Sequence, residues 1–291
     1  MGSGEFSGMI DMRPTYARDC RTAGQRFWDS NPCGGNWKSY ADFLTWIQRT
    51  EPYAFQIMGQ YDWAGKRVLD VGCGQGTLLN YLSRYGATMF GVDMSISSLC
   101  RASTGATELG LSSLVHIAAA NAERLPFPAA VFEAVVCFGV LHHTSDTQAG
   151  VKELWRILKP GGVAIVMLYR SGNPKWWATR LIRSFSFWMD GILRKDQPFA
   201  ERIRKKQGID DVRGTALLEL FGVPILKAFS NRQARKMFAM FSKVEISNHQ
   251  PGFERLADIV KGFGLIKKLL QRLDRRFKNI WGFYQVIQVV K

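Results

Sequence analysis

The stretch that most constrains this 291-residue chain is Val68-Leu-Asp-Val-Gly-Cys-Gly-Gln-Gly-Thr77. A short apolar run, 67–71, ends in a turn with glycines at 72, 74 and 76. An amphipathic pattern (Leu78, Leu79, Tyr81, Leu82) follows at once. A glycine-rich turn between a strand and a helix brings backbone N–H groups and a helix N-terminus close to a ligand. A strand that feeds a helix in this way belongs to a parallel sheet covered by helices.

The rest of the chain repeats the rhythm. Strands are expected at 88–92, 114–118, 133–138, 162–169, 243–247 and 282–290. Helices are expected near 96–109, near 146–158 with Ser145 or Asp146 as cap, and over 231–240 with Ser230 as cap. Lys159-Pro-Gly-Gly162 should stop the second of these helices and turn the chain. Between 170 and 229, and again between 249 and 281, the rhythm is interrupted by insertions.

The loop departs from the dinucleotide pattern, because Thr77 stands where a third glycine would fall. Asp70, two residues before the first glycine, would repel a pyrophosphate and suits a ligand with a positively charged amino group. Asp93 closes the second strand, where a carboxylate can accept both hydroxyls of a ribose. Asn121, after the third strand, stands where a polar side chain can read an adenine edge.

With these segments, Gly91-Val-Asp93, Asn121-Ala-Glu-Arg-Leu-Pro-Phe127, Phe132-Glu-Ala-Val-Val-Cys-Phe-Gly-Val-Leu-His-His143 and Leu158-Lys-Pro-Gly-Gly162, the chain resembles the class I S-adenosylmethionine (SAM)-dependent methyltransferases. The likeness is to the broad small-molecule group called type 11. It is strong over about 60–169 and weak over 230–291. It implies a Rossmann-like, doubly wound α/β sheet of seven strands with the last one reversed. It also implies SAM as cofactor, held by Asp70, Gly72, Cys73, Gly74, Gln75, Asp93, Met94, Asn121, Ala122, Glu123 and Phe138. Relatives more often carry Asp at the position of Asn121. Members of the group often have an N-terminal cap over the cofactor, and Phe27-Trp-Asp-Ser-Asn-Pro-Cys-Gly-Gly35 resembles one.

Methyl transfer is an in-line displacement that needs alignment and exclusion of water. A base is needed only when the acceptor must lose a proton. The candidates are His142 and His143, just past the fourth strand, where ligands of open α/β sheets bind. A purely structural pair that caps the next helix would look the same. The Asn-Pro-Pro-aromatic motif of many amino-methylating relatives is missing from Phe138-Gly-Val-Leu-His-His143. Pro32-Cys33 precedes the first strand, so a nucleophilic role for Cys33 is not expected.

Net charge is +15, and residues 1–169 balance 14 Lys+Arg against 14 Asp+Glu, so the excess lies wholly in 170–291. The first insertion adds Trp176, Trp177, Phe185, Phe187, Trp188 and Met189 to this basic character. The second carries Leu265, Ile266, Leu269, Leu270, Leu273, Phe277, Ile280 and Trp281 at helical spacing, with lysines and arginines largely opposite. Both insertions leave the carboxyl edge of the sheet, so both are expected to act as helical lids. They fit a lipophilic or partly anionic acceptor and peripheral contact with a membrane; self-packed helices with a solvated basic face would show the same pattern.

The expected organisation is an expression remnant (1–8), a helical cap (9–60), the SAM-binding core (61–169), a basic, aromatic lid (170–229) and the end of the sheet (230–291) with its insertion at 249–281. Five scattered cysteines and four histidines suggest reduced thiols, no metal and a cytoplasmic protein. The expected activity is O-methylation of a small-molecule or lipid-like acceptor in biosynthesis, with carbon or nitrogen acceptors open. Two alternatives stand beside it: an RNA methyltransferase that uses the basic half, with nucleic acid the less favoured partner, and a non-catalytic SAM-binding or membrane-associated protein.

Overall fold

The computed structural model describes residues 23–33, 37–193, 223–250 and 264–291. Seven strands form one sheet in the order β3-β2-β1-β4-β5-β7-β6. They are β1 (Arg67–Val71), β2 (Thr88–Asp93), β3 (Val115–Ala119), β4 (Phe132–Phe138), β5 (Leu158–Tyr169), β6 (Lys243–His249) and β7 (Tyr284–Val290). The chain steps outward from β1 to β3, then crosses back to β4 beside β1. Only β7 runs against its neighbours β5 and β6. This is the doubly wound sheet with a reversed last strand that the resemblance implies.

The central strands are buried on both faces. β1 hides Val68, Leu69, Asp70 and Val71, and β4 hides Ala134 through Cys137. Continuous apolar runs of this kind belong to parallel strands sandwiched between helices. Two apolar clusters fill the two faces, one around Met58, Leu79, Leu82 and Met89, the other around Phe132, Leu154, Ile157 and Phe238.

The described helices are α1 (Ala23–Ser30), α2 (Tyr40–Thr50), α3 (Pro52–Met58), α4 (Thr77–Ser83), α5 (Ile96–Glu108), α6 (Thr147–Ile157), α7 (Pro174–Leu193), α8 (Asn231–Met237) and α9 (Gly264–Trp281). Asp146 caps α6 by accepting the Ala149 N–H. Ser230 caps α8 in a reciprocal box with Gln233. Gly105 of α5 lies flat against the ring of Tyr40 from α2; an added Cβ would meet Tyr40 Cδ2 at 2.3 Å.

One expectation is corrected. The turn read at 159–162 is the start of β5, which begins at Leu158 opposite Phe132. A register irregularity between Phe132 and Ala134, with Gly161 at φ +75°, absorbs the Pro-Gly-Gly sequence without ending the strand. The expected remnant at 1–8, most of the first insertion beyond 193 and the start of the second lie outside the described residues.

Candidate functional site

The carboxyl ends of β1, β2, β4 and β5 open onto a cavity of about 250 Å³. The glycine loop forms its floor. Gly72 sits at φ +69°, and a Cβ there would stand 2.1 Å from Val140 Cγ2, so the loop after β4 closes over a position that only glycine fits. Gly76, at φ +83°, opens α4 in the left-handed conformation.

Two carboxylates are built into this floor. Asp70 is buried, and its Oδ2 accepts the Leu79 N–H at 3.1 Å, which ties the end of β1 to α4. Asp93 accepts the Gly74 N–H on Oδ2 at 2.9 Å and the Ser95 N–H on Oδ1 at 2.8 Å. Burial pushes the Asp70 carboxyl up to about 7, and the negative Asp93 nearby adds to the rise. Burial also raises Asp93, against the lowering effect of its backbone N–H donors.

The N-terminal segment closes over the loop ends. Gln25 Nε2 donates to the Met94 carbonyl at 3.1 Å, and Ser97 Oγ donates to the Asp29 carbonyl at 2.8 Å. Gln75 Nε2 donates to the Cys33 carbonyl at 2.7 Å. The same segment brings Trp28 into the cavity wall.

Of the residues singled out from the sequence, Asp70, Gly72, Cys73, Gly74, Gln75, Asp93, Met94, Asn121, Ala122, Phe138 and His143 all line this cavity. Two do not. The Glu123 carboxylate turns to the start of α6, where it accepts the Ser145 hydroxyl at 2.7 Å and the Asp146 N–H at 2.8 Å. His142 is fully buried and stacks on Tyr169 with ring centroids 3.8 Å apart. Both of its ring nitrogens lack a hydrogen-bond partner among the described residues, and burial, with His143 beside it, holds it well below the usual imidazole range. His142 is therefore a neutral packing group.

His143 differs. Its Nδ1 lies 2.8 Å from the carbonyl oxygen of Ile225. A carbonyl can only accept, so Nδ1 carries the hydrogen and Nε2 holds the basic lone pair. The segment that supplies Ile225 is pinned by Lys227, whose N–H donates to the His142 carbonyl at 2.9 Å. The ring also meets Trp28 edge-on at 5.3 Å.

The sequence reading missed the far wall. Glu51 comes from the α2–α3 junction, Phe55 from within α3, Tyr169 from the last position of β5 and Tyr284 from the first of β7. Tyr169 and Tyr284 are paired across the antiparallel ladder. Reversal of β7 puts its N-terminal end at the carboxyl edge of the parallel strands, and that signal could have identified Tyr284. The charged or titratable acids of the wall are Glu51, Asp70 and Asp93; no Lys or Arg lines the cavity among the described residues.

Residues 69–166 match the family model described as a methyltransferase domain. The ubiquinone biosynthesis O-methyltransferase of Psychrobacter cryohalolentis is 33% identical over 138 residues, which are 45% of this chain and 53% of that protein. The protein of the same name from Pseudomonas fluorescens is 39% identical over 121 residues, 41% and 50% of the two chains. The chain thus spans about half the length of the curated relatives it matches. Among solved structures, a phosphoethanolamine N-methyltransferase of Haemonchus contortus, in complex with phosphomonomethylethanolamine and S-adenosylhomocysteine, matches 93% of this chain and 60% of its own at TM-score 0.56 and 14% identity. The cyclase SpnF matches 92% and 95% at TM-score 0.54 and 18% identity. At such identity these two likenesses speak for the fold alone.

Proposed function

We propose that this chain, whose residues 69–166 form a class I SAM-dependent methyltransferase domain, transfers a methyl group from SAM to a hydroxyl of a lipophilic small molecule. One observation carries the reading. Asp70 and Asp93 are two buried carboxylates on one cavity floor, and no Lys or Arg lines that cavity among the described residues. A cationic ligand with a ribose supplies what such a floor lacks.

In this reading Asp70 faces the ammonium of the methionine part, with Gly72, Cys73, Gly74 and Gln75 around it. Asp93 takes the ribose hydroxyls on lone pairs left after its two backbone bonds. Asn121 and Ala122 border the adenine, with Met94 and Phe138 on its faces. Bound SAM supplies an activated methyl on a sulfonium. His143 takes the acceptor's hydroxyl proton on Nε2, and the Ile225 carbonyl holds the ring in the required tautomer. Trp28, Phe55, Tyr169 and Tyr284 exclude water and orient an apolar acceptor.

The oxygen acceptor is supported by His143 and by the O-methyltransferase name of the curated relatives. No described helix is long and apolar enough to cross a membrane, and a lipophilic acceptor is best met at a membrane surface. Incubation with methyl-labelled SAM and a panel of lipophilic hydroxyl compounds tests the proposal. Label in the extracted organic product, lost in His143→Ala, is the expected result. Label confined to RNA, or no transfer despite SAM binding, would overturn it in favour of the two alternatives.

A further inference from the structure

Helix α7 is amphipathic in the inverted sense. Its buried positions include the polar Thr179 and Ser186, while Trp177, Leu181, Phe185, Trp188 and Ile192 are each more than half exposed. Those five follow one another at intervals of four, four, three and four residues. At about 100° per residue they fall within an arc of roughly 80°. Thr179 Oγ1 satisfies itself on the Lys175 carbonyl at 2.8 Å. Exposure of scattered apolar residues is ordinary, but a continuous stripe of this size marks a surface that meets something.

The charge around the stripe indicates what it meets. The Arg180 guanidinium lies over the Trp177 ring at 5.5 Å, on the flank of the stripe. Helix α9 exposes Lys268, Arg272, Arg275 and Arg276 together with Leu269 and Ile280. Arg170, just before α7, donates to the Ile280 carbonyl at 2.6 Å, and Lys175 rests over the Phe283 ring at 4.0 Å. The root of α7 and the end of α9 are thus fastened together at the edge of the sheet where Tyr169 and Tyr284 line the cavity. The whole net charge of +15 also lies in 170–291. Tryptophan and phenylalanine on one face with arginine and lysine close by is the composition of helices that lie in a lipid headgroup layer.

We propose that the outward stripe of α7, with the exposed cations of α9, docks this chain on an anionic lipid bilayer. The cavity mouth then stands at the membrane, where a lipophilic acceptor is available; this purpose rests on the proposed function, but the docking itself does not. Vesicle binding is read without cofactor or acceptor, so its failure is distinguishable from failure of the methyltransferase reading.

The test is co-sedimentation of the full chain with vesicles of phosphatidylcholine alone and of phosphatidylcholine with phosphatidylglycerol. The expected result is binding roughly tenfold or more stronger to the anionic vesicles, weakened by salt. The variant Leu181→Ser/Phe185→Ser/Trp188→Ser should lose that binding while its SAM affinity is unchanged. Arg272→Gln/Arg275→Gln/Arg276→Gln should lose the preference for anionic lipid and keep the fold. Absence of binding to either vesicle, or equal binding by wild type and the α7 variant, would overturn the proposal. So would a wild-type dimer that the α7 variant converts to monomer, since a second copy would then cover the stripe.

Discussion

His143 Nδ1 lies 2.8 Å from the carbonyl oxygen of Ile225, a residue 82 positions away, and this bond fixes which nitrogen of the ring can act as a base. His143→Ala should therefore leave SAM affinity within about twofold and lower kcat by roughly 10²–10⁴. Calorimetry and steady-state kinetics check both statements. Full activity in His143→Ala would make the ring structural, as His142 is.

Asp70 gives a second prediction, whose sign follows from its carboxyl at about 7. A bound cation stabilises the carboxylate, so SAM binding near pH 7 should release a proton, and affinity should fall as pH drops below 7. Calorimetry in two buffers of different ionisation enthalpy reads the proton directly, and Asp70→Asn should abolish it. For the ligand-free fold the sign is opposite. The buried acid binds its proton more tightly than in the unfolded chain, where its value is about 3.9. Its contribution to stability therefore falls as pH rises from about 4 to about 7, and Asp70→Asn should flatten that part of the profile.

Gly105 supports the cap over the site rather than the site itself. A Cβ there would meet Tyr40 Cδ2 at 2.3 Å, so Gly105→Ala should destabilise the fold by about 1–3 kcal/mol in chemical denaturation. Saturating SAM should still bind the folded fraction.

Gly72 answers to both backbone and space. At φ +69°, with Val140 Cγ2 at 2.1 Å from its added Cβ, Gly72→Ala should distort the loop and weaken SAM affinity by at least tenfold. The double variant Gly72→Ala/Val140→Ala relieves the contact but not the backbone strain, so it should recover affinity only in part.

The parallel core was legible because strand ends, glycines and acids recur in a fixed order along the chain. Asp70 and Asp93 could be placed from their position at strand ends alone. Glu123 and His142 could not be separated from their neighbours, since a carboxylate that accepts the Ser145 hydroxyl and the Asp146 N–H and an imidazole that packs on Tyr169 look like site residues in one dimension. The far wall was hidden for a different reason. Glu51, Tyr169 and Tyr284 meet only after β7 inserts between β5 and β6, a pairing across more than a hundred residues that no local pattern encodes. The sequence offers either Ser145 or Asp146 as the cap on α6, and the side chain that accepts the Ala149 N–H belongs to Asp146.

Calorimetric titration of the folded chain with SAM, alongside Asp93→Ala, tests the cofactor assignment most directly. Wild type should bind SAM at one site per chain, and affinity should be at least tenfold weaker in the variant, because the ribose loses its acceptor. No binding by well-folded wild type, or equal affinity in the two proteins, would contradict it.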